Sequence, residues 1–358
     1  MAEMPYEWLI PLLYELKSSR NVYHELMEEH KSLRGLIPDK CRSILEAESG
    51  DKKLDEIQQL MEHSEIRTLT ILDEAYPHCL REIADPPGIL FYQGDVSCLK
   101  HTKTIAMVGS RAASYAGMKA ARKIARDLSR NGVMIISGLA YGIDSECHEG
   151  CLEGGSPTIG VMGCGLDRNY PTGNESLKRG ILAHGGLIIS EYAPGSNPIG
   201  RHFPYRNRII SGLSRAVVLM EAKIRSGSMT TIGHALKQGR EVYAYPGDPD
   251  SPKTEANRIL LREGARFFTE ASDILTDLNW LDNMPLVRQN SGCHTQAVPD
   301  NGFEATVFRA LTRGVLGFDE LLKATGLSSP DLMSTLTVLQ IKKMIDPLPG
   351  KKYQLRQS

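Results

Sequence analysis

A chain of 358 residues with 41% hydrophobic content can form more than one domain, and its 24% charged residues are typical of a globular protein. No segment approaches the roughly 20 apolar residues of a membrane span, and the seven scattered cysteines form no C-x-x-C pair, which together favour a reducing, cytoplasmic location. The net charge of −1 hides an uneven distribution, since residues 1–102 carry 11 Lys and Arg against 19 Asp and Glu, and residues 103–276 carry 22 against 16. A basic middle segment of this kind attracts phosphates.

Helical periodicity marks the N-terminal part of the chain. Residues 1–65 carry apolar side chains at helical spacing, namely Trp8, Leu9, Leu12, Leu13 and Leu16, and then Leu54, Ile57, Leu60 and Met61. This spacing predicts a small helical domain over residues 1–65. Residues 66–102 then become β-like and are punctuated by prolines, as in Asp85-Pro86-Pro87-Gly88. They form a lead-in to the next domain.

From residue 103, apolar strands alternate with helices. The predicted strands are 104–108, 133–136, 158–162, 187–189, 216–220 and 241–245, and the predicted helices are 115–130, 143–153, 175–184, 206–213, 230–238 and 255–263. Strands that are apolar throughout indicate a parallel sheet with helices on both faces. The sequence therefore predicts a Rossmann-like, doubly wound α/β domain, mostly parallel, over residues 66–278.

The C-terminal part predicts a second small unit. Residues 279–302 are polar and aperiodic, which indicates a linker. Residues 303–358 contain a first helical stretch that includes Val307, Leu311 and Val315-Leu316, a second one from Phe318, and a third over residues 329–341. Residues 342–345 and 353–355, flanking a turn at 347–350, resemble a β wing. A helix–turn–helix with a wing is the economical interpretation.

The first strand of the α/β domain ends in Gly109-Ser110-Arg111. Ligands of such sheets bind beyond the carboxyl ends of the strands, where a helix N-terminus and an arginine suit a phosphate. The spacing is not G-x-G-x-x-G and no P-loop lysine follows, so no dinucleotide or nucleotide cofactor is expected. On these residues alone, a tight turn with a surface arginine is the alternative.

Further polar segments follow the other strands. Residues 137–142, from Ser137 and Gly138 onward, offer backbone nests for an anion. The segment 203–213 places arginines beside aromatic side chains, a combination in which rings stack on bases and guanidinium groups hold the backbone of a single strand. Residues 225–231 add a cation, hydroxyls and a glycine after the strand 216–220. Because all these segments meet at one edge of the sheet, they predict a binding site for single-stranded nucleic acid.

The order of the motifs resembles the DprA/Smf family (DNA processing protein A). The resemblance covers about residues 76–276 and includes G-S-R (109–111), S-G-L-A-x-G-I-D (137–144), F-P-x-R-N-R-I-I-S-G-L-S (203–214), S-G-S-x-x-T (226–231), Pro246-Gly247 and T-E-A-N-R-I-L (254–260). It implies a non-enzymatic, Rossmann-like homodimer that binds single-stranded DNA, protects it and hands it to the RecA recombinase during natural transformation.

The same resemblance implies which residues contact DNA. These are Ser110, Arg111, Ser137, Gly138, Phe203, Arg206, Asn207, Arg225, Ser226, Gly227 and Ser228. Phe203 would stack on a base, and Arg111 and Arg225 would hold phosphates.

Two other functions are weighed against this one. A related Rossmann-like group hydrolyses nucleoside monophosphates with a P-G-G-x-G-T-x-x-E signature, but Asp248-Pro249 follows Pro246-Gly247 here and no such glutamate is present. The carboxylates near strand ends are interpreted as caps or structural partners, namely Asp144, Glu191 and Glu221. A regulator led by the winged helix would need base-reading side chains, yet residues 329–341 contain no Arg or Lys.

A metal site is conceivable on one predicted helix, where Cys147, His148 and Cys151 cluster. No complete set of four ligands is visible, and a buried thiol is the commoner fate of a cysteine. No metal is therefore expected.

Overall fold

The structure, a computed structural model, describes residues 51–280, 302–311, 315–341, 344–348 and 352–355. The chain divides into two compact units, Met1–Asn283 and Met284–Ser358. Residues 1–50 of the predicted helical domain and residues 281–301 of the predicted linker lie outside the described residues. Within the described ranges, every helix is too short or too polar to cross a membrane.

A nine-stranded sheet forms the centre of the first unit. Its strands are β1 (Arg67–Thr70), β2 (Ile89–Gly94), β3 (Thr104–Val108), β4 (Met134–Ser137), β5 (Thr158–Met162), β6 (Leu187–Ser190), β7 (Ala216–Leu219), β8 (Glu241–Ala244) and β9 (Arg266–Phe267). The order is β1-β2-β6-β5-β4-β3-β7-β8-β9. Strands β3 to β9 are parallel, whereas β1 and β2 add an antiparallel edge.

The path of the chain through this sheet reverses once. It runs outward from β3 through β4 and β5 to β6 and then returns to β7, which pairs with β3 on the other side. The connections that leave β3 and β7 therefore diverge. Such a reversal opens a crevice at the carboxyl ends of the strands, which is where ligands of these sheets bind.

Helices cover both faces of the sheet. Numbered from the first described one, they are α1 (Asp51–His63), α2 (His78–Arg81), α3 (Tyr115–Arg130), α4 (Ile143–Gly154), α5 (Glu175–Ala183), α6 (His202–Gly212), α7 (Ser228–Lys237), α8 (Glu255–Arg262) and α9 (Ala271–Asp277). Buried side chains of α6, α7 and α8, such as Ile209 and Ile232, form one hydrophobic cluster with the sheet, and those of α3, α4 and α9, such as Ile124 and Ile274, form another. The doubly wound fold is confirmed.

The start of α6 differs from the sequence prediction. The helix begins at His202 rather than at residue 206, so Phe203 lies in its first turn and not in a loop. Pro204 is tolerated there because the N–H groups of a first helical turn have no acceptor within the helix. The aromatic ring of Phe203 is consequently carried by a regular element.

The second unit has the predicted winged-helix architecture. It consists of α10 (Gly302–Leu311), β10 (Leu316–Gly317), α11 (Phe318–Thr325), α12 (Ser329–Ile341), β11 (Ile345–Leu348) and β12 (Lys352–Leu355). Two details of the prediction are wrong. Leu316 belongs to β10, opposite Tyr353, and not to a helix. Pro347 lies within β11 and not in the turn, which is possible because β11 is an edge strand.

Candidate nucleic-acid interface

Connections from four parallel strands meet at the carboxyl edge of the sheet. They follow β3 (residues 109–114), β4 (138–142), β5 (163–174) and β7 (220–227). The parallel registers Val108 to Leu219, Ala106 to Ile136 and Ile136 to Ile159 bring the ends of these strands to one side. The motifs that directly follow β3, β4 and β7 therefore lie at one edge of the sheet.

A cavity of about 140 Å³ lies in this crevice. Its lining consists of Arg111, Gly138, Ala140, Tyr141, Met162, Gly163, Tyr170, Pro171, Phe203 and Arg206. The ring centroid of Phe203 lies 5.2 Å from that of Tyr170, and the guanidinium carbon of Arg111 lies 5.5 Å from the Phe203 centroid. A Cβ atom at Gly163 would come within 2.9 Å of the Phe203 ring. Glycine at 163 is thus required for the ring to occupy this position.

The cation of Arg111 is available for a ligand. The side chain is exposed, and none of the described carboxylates forms an ion pair with it. Its guanidinium forms a cation–π contact with Phe203, which aligns a positive charge with an aromatic face. Arg225 is likewise exposed on the connection after β7, beside the exposed Gly227.

Arg206 has a different environment from the one expected of a phosphate-binding residue. It is 4% exposed, and its Nη1 donates hydrogen bonds to the carbonyl oxygens of Gly138, at 3.1 Å, and of Val161. Its Nε donates to Oδ1 of Asn207 at 3.1 Å. Burial lowers the pKa of the guanidinium to about 10, so it is still charged at neutral pH. Arg206 joins the ends of β4 and β5 to α6, and it also lines the cavity.

Other predicted contacts are also internal. The Oγ of Ser137 is fully buried and donates to the carbonyl oxygen of Met107 at 2.6 Å. A Cβ atom at Gly138 would lie 2.7 Å from Nη2 of Arg206. Of the predicted site residues, Arg111, Arg225 and Gly227 are exposed and Ser110, Phe203 and Ser226 are half-buried, and these six form the surface set. The structure buries Ser137, Gly138, Arg206, Asn207 and Ser228. The buried set shapes the crevice and the surface set faces solvent.

The three carboxylates considered for catalysis are occupied by structural partners. Asp144 accepts hydrogen bonds from the N–H groups of Gly138, at 3.1 Å, and Ala140, at 3.4 Å. Glu191 and Glu221 are held in the same way, Glu191 by both Nη atoms of Arg208 at 2.6 and 2.8 Å and Glu221 by the N–H and Oγ of Ser114 at 2.7 and 2.5 Å. These contacts confirm the structural interpretation and do not favour the nucleotide-hydrolysing alternative.

Burial of Asp144 has an electrostatic consequence. It raises the pKa of this carboxyl to about 6, although the nearby Arg206 guanidinium and the two backbone N–H groups act in the opposite direction. At neutral pH the carboxylate is ionised and fixes the connection after β4. The carboxylate becomes protonated at a pH just below the physiological range.

The cluster around Cys147 lies inside the protein. Cys147 and Cys151 are buried in the core between α3, α4 and the sheet. Nδ1 of His148 lies 2.8 Å from Oγ1 of Thr158, and burial lowers the pKa of this imidazole to about 3. Among the described residues, no three His, Cys, Asp or Glu side chains are arranged to hold a metal ion.

Sequence reasoning missed part of the cavity wall. Tyr170 and Pro171 belong to the long connection after β5, and Tyr141 closes the wall by accepting a hydrogen bond at its Oη from the N–H of Gly173 at 3.0 Å. One available signal was Gly163, since a glycine directly after a buried strand also marks Gly109. The positions of the two tyrosine rings depend on the folding of irregular connections and carry no spacing signature.

Comparisons with known proteins agree with this architecture. Residues 67–279 match the family model of DNA recombination-mediator protein A, and residues 295–351 match the DprA winged helix domain. DNA processing protein DprA of Streptococcus pneumoniae is 41% identical over 228 residues, which cover 64% of this chain and 80% of that protein. Protein Smf of Escherichia coli is 36% identical over 293 residues, covering 80% and 76%.

Two solved structures are also similar. The X-ray structure of DprA from Streptococcus pneumoniae has a TM-score of 0.65 and 35% identity, with 77% of this chain and 94% of that chain covered. A structure of DNA processing protein A from Helicobacter pylori, described for its single-stranded-DNA binding mode, has a TM-score of 0.55 and 31% identity, with 61% and 97% covered.

The reversing parallel sheet, the crevice at its carboxyl edge and the appended winged helix define a Rossmann-like α/β protein of the DNA recombination-mediator class. More particularly, the chain belongs to the DprA/Smf family. The resemblance first recognised in the spaced motifs is thereby confirmed, and with it the mostly parallel α/β fold.

Proposed function

We propose that this chain binds single-stranded DNA along the carboxyl edge of its sheet and, as a homodimer, protects incoming DNA and loads the RecA recombinase on it during natural transformation. The observation that carries the DNA-binding part is the pairing of the Phe203 ring with the exposed Arg111 cation in one open cavity. The relative from Helicobacter pylori is described as binding single-stranded DNA, which supports the same substrate here. Protection, RecA loading and dimerisation rest on family membership alone.

The chemistry of the cavity favours unpaired bases. A base that stacks on an aromatic ring contributes about 1–3 kcal/mol whatever its identity, and a single strand can offer a base to the ring without first breaking base pairs. A duplex would first have to unpair and unstack that base. The rings of Tyr141 and Tyr170 enclose the space over Phe203, and Arg111 and Arg225 supply charges for the flanking phosphates.

The buried residues of the site prepare this surface before DNA arrives. Arg206 holds the ends of β4 and β5, and Asp144 holds the backbone between Gly138 and Ala140. Since these hydrogen bonds fix the walls of the cavity, the protein loses little conformational entropy when the strand binds. We therefore assign Arg206 and Asp144 to positioning and Arg111 and Phe203 to contact.

Variants of the contact residues test the assignment. Arg111→Ala should weaken binding of every oligonucleotide sequence. It should also reduce the slope of log affinity against log salt concentration by about 0.7, the contribution of one phosphate contact on a single strand. Phe203→Leu keeps the apolar volume but removes the aromatic face, and should weaken binding by about 1–3 kcal/mol. The matched control is Arg130→Ala, because Arg130 is exposed at the last residue of α3, at the opposite edge of the sheet.

Fluorescence anisotropy with labelled oligothymidylate measures these affinities directly. Arg130→Ala should bind as the wild type does. Unchanged affinity in Arg111→Ala would show that the site is misplaced. RecA loading is tested separately, by the rate at which RecA hydrolyses ATP on an oligonucleotide coated with single-strand-binding protein; a rate that this protein does not increase would contradict that part of the proposal.

A further inference from the structure

We infer that the bound single strand continues from the Phe203 cavity onto a second platform, formed by the ring of Tyr115 and the side chain of Ile224. This inference rests on the proposed function and extends the same site. Tyr115 is 79% exposed at the first residue of α3, and Ile224 is 48% exposed on the connection after β7. Because β3 and β7 are hydrogen-bonded neighbours, the start of α3 and the connection that carries Ile224 follow adjacent strands.

The ring of Tyr115 is largely exposed to solvent. No hydrogen bond or ring contact joins it to another residue of the described part of the chain. A solvent-exposed aromatic ring offers a face on which a base can stack. Here the neighbouring cations indicate which ligand would cover it.

The backbone beneath Tyr115 is rigidly fixed. Ser114 caps α3 by accepting the N–H of Gly117 at its Oγ, at 3.0 Å. Ser114 is tied in turn to Glu221 of the β7 connection through its own N–H and Oγ, at 2.7 and 2.5 Å. A Cβ atom at Gly117 would lie 2.3 Å from Oε2 of Glu221, so that carboxylate is packed tightly against the first turn of α3.

The connection that carries Ile224 is held from its other side. Oδ1 of Asn257 accepts the N–H of Ala222 at 3.0 Å, and the carbonyl oxygen of Ala222 accepts the N–H of Ala256 at 3.1 Å. Asn257 also donates to the carbonyl oxygens of Leu219 and Met220. The start of α3, which carries Tyr115, and the connection that carries Ile224 are therefore both held in position in the free protein, as a preorganised platform requires.

The charges around the platform suit a phosphate chain. Arg111, Lys223 and Arg225 are exposed, and none of them pairs with a described carboxylate. The exposed acids Asp248 and Asp250 follow β8, on the side of β7 away from β3. Both acids therefore follow a strand that is not a neighbour of β3, which precedes Arg111 and Tyr115.

The distance from the cavity to the platform is short. Arg111 and Tyr115 are four residues apart, so their Cα atoms lie at most about 14 Å from each other. At about 3.4 Å per stacked nucleotide, at most about four nucleotides bridge this distance. A strand must therefore extend beyond the nucleotide in the Phe203 cavity, by at most about four nucleotides past Arg111, to reach Tyr115, which gives the inference a length dependence.

The test is the affinity of the full chain for oligothymidylates of increasing length, for the wild type, Tyr115→Ala, Tyr115→Phe and the control Leu236→Ala. Leu236 is 60% exposed near the end of α7, away from the carboxyl edge. Wild-type affinity should rise as the oligonucleotide grows beyond the Phe203 cavity. Tyr115→Ala should lose that rise, by roughly 5- to 150-fold, while keeping the affinity for the shortest oligonucleotide; Tyr115→Phe and Leu236→Ala should follow the wild type.

The outcomes separate the two claims. If Tyr115→Ala matches the wild type at every length, the platform is wrong and the Phe203 site stands. If the wild type binds no oligothymidylate of any length, the proposed function fails and the platform fails with it. If Tyr115→Ala loses affinity equally at all lengths, Tyr115 belongs to the first cavity and a separate platform is contradicted.

Discussion

Replacing Arg206 by alanine removes a buried cation from the point where β4, β5 and α6 meet. The side chain is 4% exposed, and its loss leaves the carbonyl oxygens of Gly138 and Val161 without their donor and the buried Asp144 without its neighbouring positive charge. Breaking a buried charged network from one side costs about 3–5 kcal/mol. In a unit of this size, 1 kcal/mol corresponds to about 2–4 °C in Tm, so a decrease of about 6–20 °C is expected.

Urea unfolding followed by tryptophan fluorescence measures this cost. The chain has two tryptophans, and a Trp8→Phe background leaves Trp280, which packs against the core of the α/β unit and accepts a hydrogen bond from Nζ of Lys103 at its carbonyl oxygen. The exposed Arg111→Ala serves as the control and should change the free energy of unfolding by less than about 0.5 kcal/mol. An Arg206→Ala variant that unfolds like the wild type but fails to bind DNA would refute the structural role and make Arg206 a direct contact.

Three further expectations follow from other contacts. Gly163→Ala should weaken oligothymidylate binding in an anisotropy titration, because the new Cβ atom lies 2.9 Å from the Phe203 ring and must displace it. Glu191→Gln should lower the free energy of unfolding, measured by urea denaturation, by about 3–5 kcal/mol, because Arg208 loses its buried bidentate partner. Since burial raises the pKa of Asp144 to about 6, the unfolding free energy should fall by up to about 3 kcal/mol as the pH rises from about 4 through 6; Asp144→Asn, measured at both pH values, should lose this component of the pH dependence.

Much of the central fold could be predicted from sequence because its strands are apolar on both faces. Runs such as residues 104–108 and 216–220 have few alternatives to a buried parallel strand, and all parallel strands from β3 to β8 lie within two residues of their predicted positions. The two-residue strand β9 and the short helix α9 carry too little pattern to stand out. At α6, the proline in the first turn concealed a helix that begins earlier than expected.

The candidate site was predictable in position but not in detail. The glycines and arginines at strand ends located the crevice, since topology alone brings carboxyl ends together. Residue type does not show whether an arginine faces solvent, and Arg206 and Arg111 could be told apart only by their neighbours. The same holds for Tyr141 and Tyr170, because the connections that carry them have no periodicity to predict their course.

The central claim is tested most directly by titrating the wild-type chain with labelled oligothymidylate and with a duplex of the same length, each at two salt concentrations. The account predicts tighter binding of the single strand and an affinity that falls with salt, with a logarithmic slope of about −1.4 if Arg111 and Arg225 each neutralise one phosphate. Equal or tighter binding of the duplex, or no binding of either at low salt, would contradict it.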